Sequence, residues 1–271
     1  MAVALDAQSS AFTASQSLAS YTNAAFTVGS GANRALVVAL VCESTTGNSP
    51  TAPTLSWDST GTNQSMQLIS TMSDNRGSSE VRHFIFGLVA PTSGNKTLAV
   101  GGLNTNCASI LSYISWTGAD QTGGTTTFKN AATNNTGSAL TILSANVSGN
   151  VGDAAIGVFG SNDSSPTPNQ TTWCTASLTS VSFDYYCSNY ALMASSPVTM
   201  SSSWASAASC NYSVMAINQA GAAPSLGAPR LSGYPLGRMA GYHNLLNAAA
   251  PTPTVVLPAA TGSTLPMTGV G

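Results

Sequence analysis

Few residues in this chain could do chemistry. Its two histidines are His83, inside an apolar stretch, and His243, close to the C-terminus. Neither has a Gly-x-Ser-x-Gly elbow or a Cys-Gly pattern beside it, the settings in which a nucleophile is commonly activated. His83 therefore reads as a structural strand residue. The nine carboxylates, Asp6, Glu43, Asp58, Asp74, Glu80, Asp120, Asp153, Asp163 and Asp184, fall mostly in turns or at strand ends. Glycoside hydrolysis needs two carboxyl groups on one face. Asp74 with Glu80, or Asp58 with Asp120, are the pairs that could meet, but their spacing specifies nothing.

Metal and phosphate chemistry are equally thin. The Asp58–Asn63 turn and the Asn162-Asp163 turn offer hard oxygen ligands without the acidic count of a calcium loop. Gly101-Gly102 and Gly123-Gly124 lack the following helix that phosphate and dinucleotide loops require. No catalytic, metal-binding or cofactor-binding residue is expected.

Five cysteines, Cys42, Cys107, Cys174, Cys187 and Cys210, are widely spaced with no Cys-x-x-Cys pair, which argues against zinc. In an oxidising environment an odd count leaves one thiol free or paired between chains. Cys174 with Cys187, or Cys187 with Cys210, are the nearest intrachain candidates. Most are nonetheless expected to serve as small buried hydrophobes, Cys42 at the end of its apolar strand above all. Sugars stack on exposed aromatics, and Trp57, Trp116, Trp173, Trp204, Tyr185, Tyr186 and Tyr190 are the candidates. Trp116 ends an apolar strand and Tyr185 falls on a core side, so core packing is expected for these. Trp173 and Trp204 lie in more polar sequence and are expected to be the more exposed.

The elements that must position these residues are strands. Apolar bursts rich in β-branched and aromatic residues alternate with Gly, Asn, Ser, Thr and Pro. Strands are expected near 34–43, 54–57, 66–71, 81–89, 96–100, 109–116, 138–147, 153–159, 181–192, 198–202 and 211–217. Alternation in 181–187 predicts a half-buried strand, whereas several other bursts are apolar on both faces and should be covered on both sides. Between them, Pro91–Gly94, Trp57–Gly61 and Ser161–Ser165 read as turns. About eleven strands without a convincing helix predict an all-β fold, an antiparallel two-sheet sandwich of jelly-roll type.

Composition bounds the partners. Of 271 residues, 7 are Lys or Arg and 9 are Asp or Glu, so 6% are charged, against roughly 25% in an ordinary globular chain. Two lysines cannot supply a nucleic-acid footprint. A hydrophobic content of 43% excludes charge-rich disorder. Met1–Ser20 has neither a basic n-region nor an apolar core, so no secretory signal is expected there. The longest apolar run, Ala35–Cys42, is far short of the ~20 residues of a membrane helix, and a membrane barrel is not expected either. A neutral polar surface does little to prevent association. Life within an assembly, or outside a cell, is therefore expected.

The composition shifts near residue 219. From Gly221 onward the chain holds seven of its 13 prolines and no acidic residue. Two domains are expected, a sandwich over 1–219 and an extended Pro/Ala-rich arm over 220–271. Within the arm, 235–250 keeps a three- and four-residue apolar step that predicts a short helix. Leu231, Tyr234, Leu236, Met239, Tyr242, Leu245 and Leu246 are the expected partner-binding residues.

Several motifs carry a resemblance. Arg34-Ala-Leu-Val-Val, the Leu55-Ser-Trp-Asp turn, Phe86-Gly-Leu-Val-Ala-Pro-Thr-Ser-Gly-Asn-Lys-Thr-Leu98, Ile114-Ser-Trp-Thr-Gly-Ala-Asp-Gln121 and Gly152-Asp-Ala-Ala-Ile156 occur in order. Together they resemble a β-sandwich domain of bacteriophage structural proteins and some bacterial surface proteins. The resemblance covers roughly residues 1–218 and not the arm, and it carries no catalytic residues. It implies a non-enzymatic virion protein made in the host cytoplasm, a decoration or cement subunit on the capsid surface. Its partners would be the major capsid protein and copies of itself, with no nucleic acid and no membrane. The alternative it implies is a receptor- or glycan-binding module of a tail fibre, spike or cell-surface protein.

Overall fold

A computed structural model describes residues 1–9, 12–13, 19–23, 25–45, 50–75, 79–104, 107–162, 165–178 and 184–221. The chain divides into two units, Met1–Ala223 and Pro224–Gly271, of which the second lies outside the described residues. The arm residues Leu231, Tyr234, Leu236, Met239, Tyr242, Leu245 and Leu246, and the helix expected over 235–250, therefore lie outside them too.

The first unit is built from strands. In chain order these are β1 (Ala4–Gln8), β2 (Phe12–Thr13), β3 (Ser20–Thr22), β4 (Phe26–Val28), β5 (Ala35–Thr45), β6 (Thr54–Trp57), β7 (Gln64–Ser65), β8 (Gln67–Asn75) and β9 (Ser79–Val89). There follow β10 (Gly94–Lys96), β11 (Leu98–Gly101), β12 (Cys107–Thr117), β13 (Phe128–Val147), β14 (Ala154–Ser161), β15 (Thr167–Pro168), β16 (Thr171–Leu178), β17 (Asp184–Leu192) and β18 (Val198–Ile217). A single helical turn, α1 (Gly124–Thr127), precedes β13.

Four antiparallel sheets result where two were expected. A central sheet runs β1-β12-β5-β9-β8, with β2 also on β12. A small sheet runs β3-β11-β6-β7, and β4 pairs with β10. The fourth sheet runs β13-β18-β14-β17-β16, with β15 on β18.

The central sheet explains why its strands read as apolar on both faces. On β5, Ala35, Val37, Ala39 and Val41 enter a core shared with Ile156, Val158, Met215 and Ile217 of the fourth sheet. The alternate residues Leu36, Val38, Leu40 and Cys42 enter a second core with Leu55, Trp57, Leu98 and Val100 of the small sheet. Strand period two sends successive side chains to opposite layers, so a strand buried on both sides must be apolar throughout.

A third core lies on the far face of the fourth sheet, and the path of one ribbon creates it. Strands β13 and β18, 20 residues each, pair from Phe128↔Ile217 to Val147↔Val198. Straight, such a ribbon would span roughly 65 Å at ~3.3 Å per residue. Yet β14, which starts at Ala154, also pairs with Ile217, so the short link 148–153 must return from Val147 to the start of the ribbon. A link of that length reaches about 25 Å at most. The ribbon therefore doubles over, and Asn130 Nδ2 donates to the Ser148 carbonyl at 2.7 Å across the fold. Register shifts between Asn135 and Ala139 and between Leu140 and Ile142 mark the bend, as bulges do. Beneath it pack Leu143, Val147, Phe159, Cys187, Met200 and Trp204.

Several expectations change here. The segments 198–202 and 211–217 are one strand, and β16, which carries Trp173, was not foreseen. Strand β17 is not half-buried: Tyr186 enters the first core and Cys187 the third. The expected start of that strand, 181–183, lies outside the described residues.

Candidate functional site

The few charged groups are held by the fold. Asp6 accepts from the Gly29 amide at 2.8 Å and from Ser115 Oγ at 2.8 Å, tying the N-terminal strand to β12. Asp58, at φ 53, accepts from the Thr62 amide and hydroxyl and pairs with Lys96 Nζ at 3.3 Å. The Thr62 amide, more than the neighbouring Lys96 ammonium, holds the Asp58 carboxyl below its usual 3.8. Arg34 donates to the carbonyls of Gly31 and Pro91. Glu80 accepts from Ser73 Oγ and Arg82 Nε, both at 3.0 Å.

His83 lies between the central and fourth sheets, 0% exposed. Its register partners are Val41 on β5 and Met72 on β8, so Glu43 and Asp74, two residues further along those strands, share its face. From the fourth sheet Tyr186 meets the imidazole edge-on at 5.6 Å between ring centroids, and Asn211 Nδ2 donates to Asp74 Oδ2 at 3.0 Å. A histidine flanked by two carboxylates is a catalytic type of grouping. Here Glu43, Asp74 and His83 are all buried in packed layers, and a substrate could reach them only by parting two sheets. Asp74 with Glu80 fails as a glycosidase pair, because Asp74 shares the face of its partner Val81 while Glu80, the next residue, points to the other face. Asp58 and Asp120 each cap their own turn.

All four tryptophans are buried. Trp173 and Trp204, expected to be the exposed ones, are each only 5% exposed. Their neighbours Thr171, Thr175 and Ser206 are exposed, so the polar sequence around each tryptophan reports the exposure of those neighbours and not its own. No tryptophan therefore offers a sugar-stacking platform. Tyr190 packs edge-on against Trp116 at 5.3 Å. The five cysteines are free and buried. Burial pushes the thiols of Cys174 and Cys187 up to about 11 and about 12, so they persist as inert core groups. Among the described residues no group of three His, Cys, Asp or Glu is placed to hold a metal ion. No described helix is long and apolar enough to cross a membrane.

One end of the body gathers the remaining features. The Met1 ammonium donates to the Ala220 carbonyl at 2.9 Å, and the Val3 amide to the Gly152 carbonyl at 2.7 Å, so the N-terminus lies where the described chain leaves the body. Exposed Val151 and Leu192 adjoin the bonded pair Gly152 and Met193. A shallow hollow there is lined by Met1, Asp120, Asn150, Asn218, Gln219 and Gly221. Asn218, one of its lining residues, accepts at Oδ1 from Lys129 Nζ at 2.7 Å, and the same nitrogen meets Asp153 Oδ2 at 2.8 Å. Nothing in sequence spacing marks this trio. A second hollow, lined by Tyr21, Thr22, Thr54, Ser56, Ala99 and Gly101, lies on the small sheet.

No family model, curated protein or solved structure matches this chain.

Proposed function

We propose that the chain is a non-enzymatic structural subunit of a bacteriophage virion, a capsid decoration or cement protein anchored through its C-terminal arm. In this reading the body is a two-sided sandwich elaborated to several layers, and residues 220–271 form the Pro-rich extension that meets the capsid or a neighbouring copy. One observation carries the reading: among the described residues the scarce carboxylates are used inward. Asp6, Asp58, Glu80, Asp120 and Asp153 each bond a turn, a strand or a paired cation of their own body. Among the described residues the exposed positions are largely Ser, Thr, Asn and Ala, a neutral face suited to lying against other subunits.

The arm has the composition for burial. Its only charged side chains are Arg230 and Arg238, and it holds Leu231, Tyr234, Leu236, Met239, Tyr242, Leu245 and Leu246. At ~25 cal/mol per Å² of apolar surface, several hundred Å² per arm is useful when many copies bind one shell. The test is deletion of residues 222–271, with the folded state of the remainder checked by circular dichroism and its incorporation checked in purified particles. A folded body missing from the particles is expected. Normal incorporation of the truncated protein would overturn the arm's role, and absence of the full chain from virions would overturn the reading itself.

A further inference from the structure

We propose that Lys129 and Asn218 join through an intramolecular isopeptide bond, formed with Asp153 as the acid-base residue. The argument rests on three side chains brought to one point. Lys129 Nζ lies 2.7 Å from Asn218 Oδ1, which leaves the amide carbon one bond beyond the amine's contact. The same nitrogen lies 2.8 Å from Asp153 Oδ2. A primary amine, a carboxamide and a carboxyl group in mutual contact are the components of amide aminolysis. Holding reactants at contact distance supplies the effective molarity that the same groups lack in solution.

Each member is fixed in place. Lys129 is in register with Ala216 of β18, and the register breaks directly after it, with Asn130 at φ 54. Asn218 is pinned on both sides, its amide donating to the Thr127 carbonyl at 2.7 Å and its carbonyl accepting from the Asp120 amide at 2.8 Å. Asp153 is 0% exposed; its Oδ2 accepts from the Asn150 amide at 2.7 Å and its Oδ1 from the Gln219 amide at 2.8 Å. The neighbours Ala119, Phe128, Ala154 and Ile217 are core residues.

The reaction needs the neutral amine, and a proton passes from the Lys129 ammonium to Asp153 across their 2.8 Å contact. The neutral amine attacks Asn218 Cγ while the Asp153 carboxyl hydrogen-bonds the amide oxygen and stabilises the charge developing on it. The new N–C bond forms, and Asp153 relays the proton lost by the amine to the departing nitrogen. The C–N bond of the carboxamide breaks and ammonia leaves through the hollow lined by Asn218 and Gly221. Ammonium and carboxamide become a secondary amide and an ammonium ion, with no oxidant or other reactant. Asp120, close by, plays no such part. Burial pushes its carboxyl up, but hydrogen bonds from Thr122 and Thr127 and the Lys129 charge together hold it below 3.8, so it stays ionised.

The bond would close a loop from the first strand of the fourth sheet to the residue after its last strand in sequence. Tension applied through the chain beyond Gly221 would then pass from Asn218 to Lys129 instead of unzipping β18, independently of what that chain binds.

Intact-mass measurement of the purified full chain tests this. The expected mass is lower than the sequence mass by one ammonia, about 17 Da, and a chymotryptic digest contains a branched peptide joining Lys129 to Asn218. Lys129→Arg keeps the ion pair to Asp153 and should remain folded at full mass. Asn218→Ala and Asp153→Asn should also stay at full mass. A folded wild-type chain at its sequence mass overturns the proposal. So does an ammonia loss that persists in Lys129→Arg or Asn218→Ala, which would place the loss at another asparagine.

Discussion

Asp58 shows how a lone charge works in this chain. Its turn needs a residue at positive φ, and its carboxylate holds Thr62 and Lys96 in place around that turn. The folded carboxyl ionises more readily than the unfolded one, so ionisation favours the folded state. That stabilisation is complete above the unfolded value of 3.8 and is lost as pH falls through the lower folded value. Asp58→Asn should therefore melt below the wild type at neutral pH, with the gap closing under acid. A gap that stays constant down to the acid limb would show that the carboxylate's charge contributes nothing. Residue types alone made His83 structural and the cysteines core-like, and both are buried. The Lys129 group stayed hidden because its amine and amide are 89 positions apart and meet only through the β13–β18 ladder, and Asp153 joins them only when the ribbon doubles back.

At the scale of elements, glycine stands where side chains of the adjoining strands lean across it. A Cβ added to Gly160 of β14 would lie 2.6 Å from both Asn211 Oδ1 and the Tyr186 ring, inside the layer that covers His83. Neither neighbour can retreat, because Asn211 is bonded to Asp74 and Tyr186 is packed on the imidazole. Gly160→Ala should cost about 1–3 kcal/mol in urea unfolding, as overpacking does. A loss below about 0.5 kcal/mol, the range of indifferent surface changes, would mean that the Asn211 and Tyr186 side chains are free to yield there. The strands easiest to read from sequence were those of the central sheet, whose burial on both faces demands unbroken apolar runs such as Ala35–Cys42. The doubled ribbon was harder. Its strands are rich in Ser, Ala, Asn and Thr, and Leu140 and Ile142 stay exposed at its bend, so no apolar period marks where it folds. Its path is set by the short 148–153 link and the pairing of β14, which are long-range facts. The short N-terminal strands escaped notice for the same reason, since β1 and β3 borrow their ladders from β12 and β11.

For the whole molecule, scarcity of charge changes what holds copies together. The ion pairs Arg82–Glu80, Lys96–Asp58 and Lys129–Asp153 each lie within the body. A surface with so few free charges has little long-range field to screen, so association between copies, or with a shell, must come from apolar and hydrogen-bonding contact. Sedimentation of the full chain should then give the same distribution at low and high sodium chloride. Sulfate, which strengthens burial of apolar surface, should shift it toward larger species. Substituting Val151→Lys and Leu192→Lys should reverse that shift if the exposed apolar end takes part, since each puts an ammonium where a partner would have to desolvate it. Dissociation by sodium chloride alone would contradict this, because it would require charge complementarity that a body using its carboxylates internally does not present.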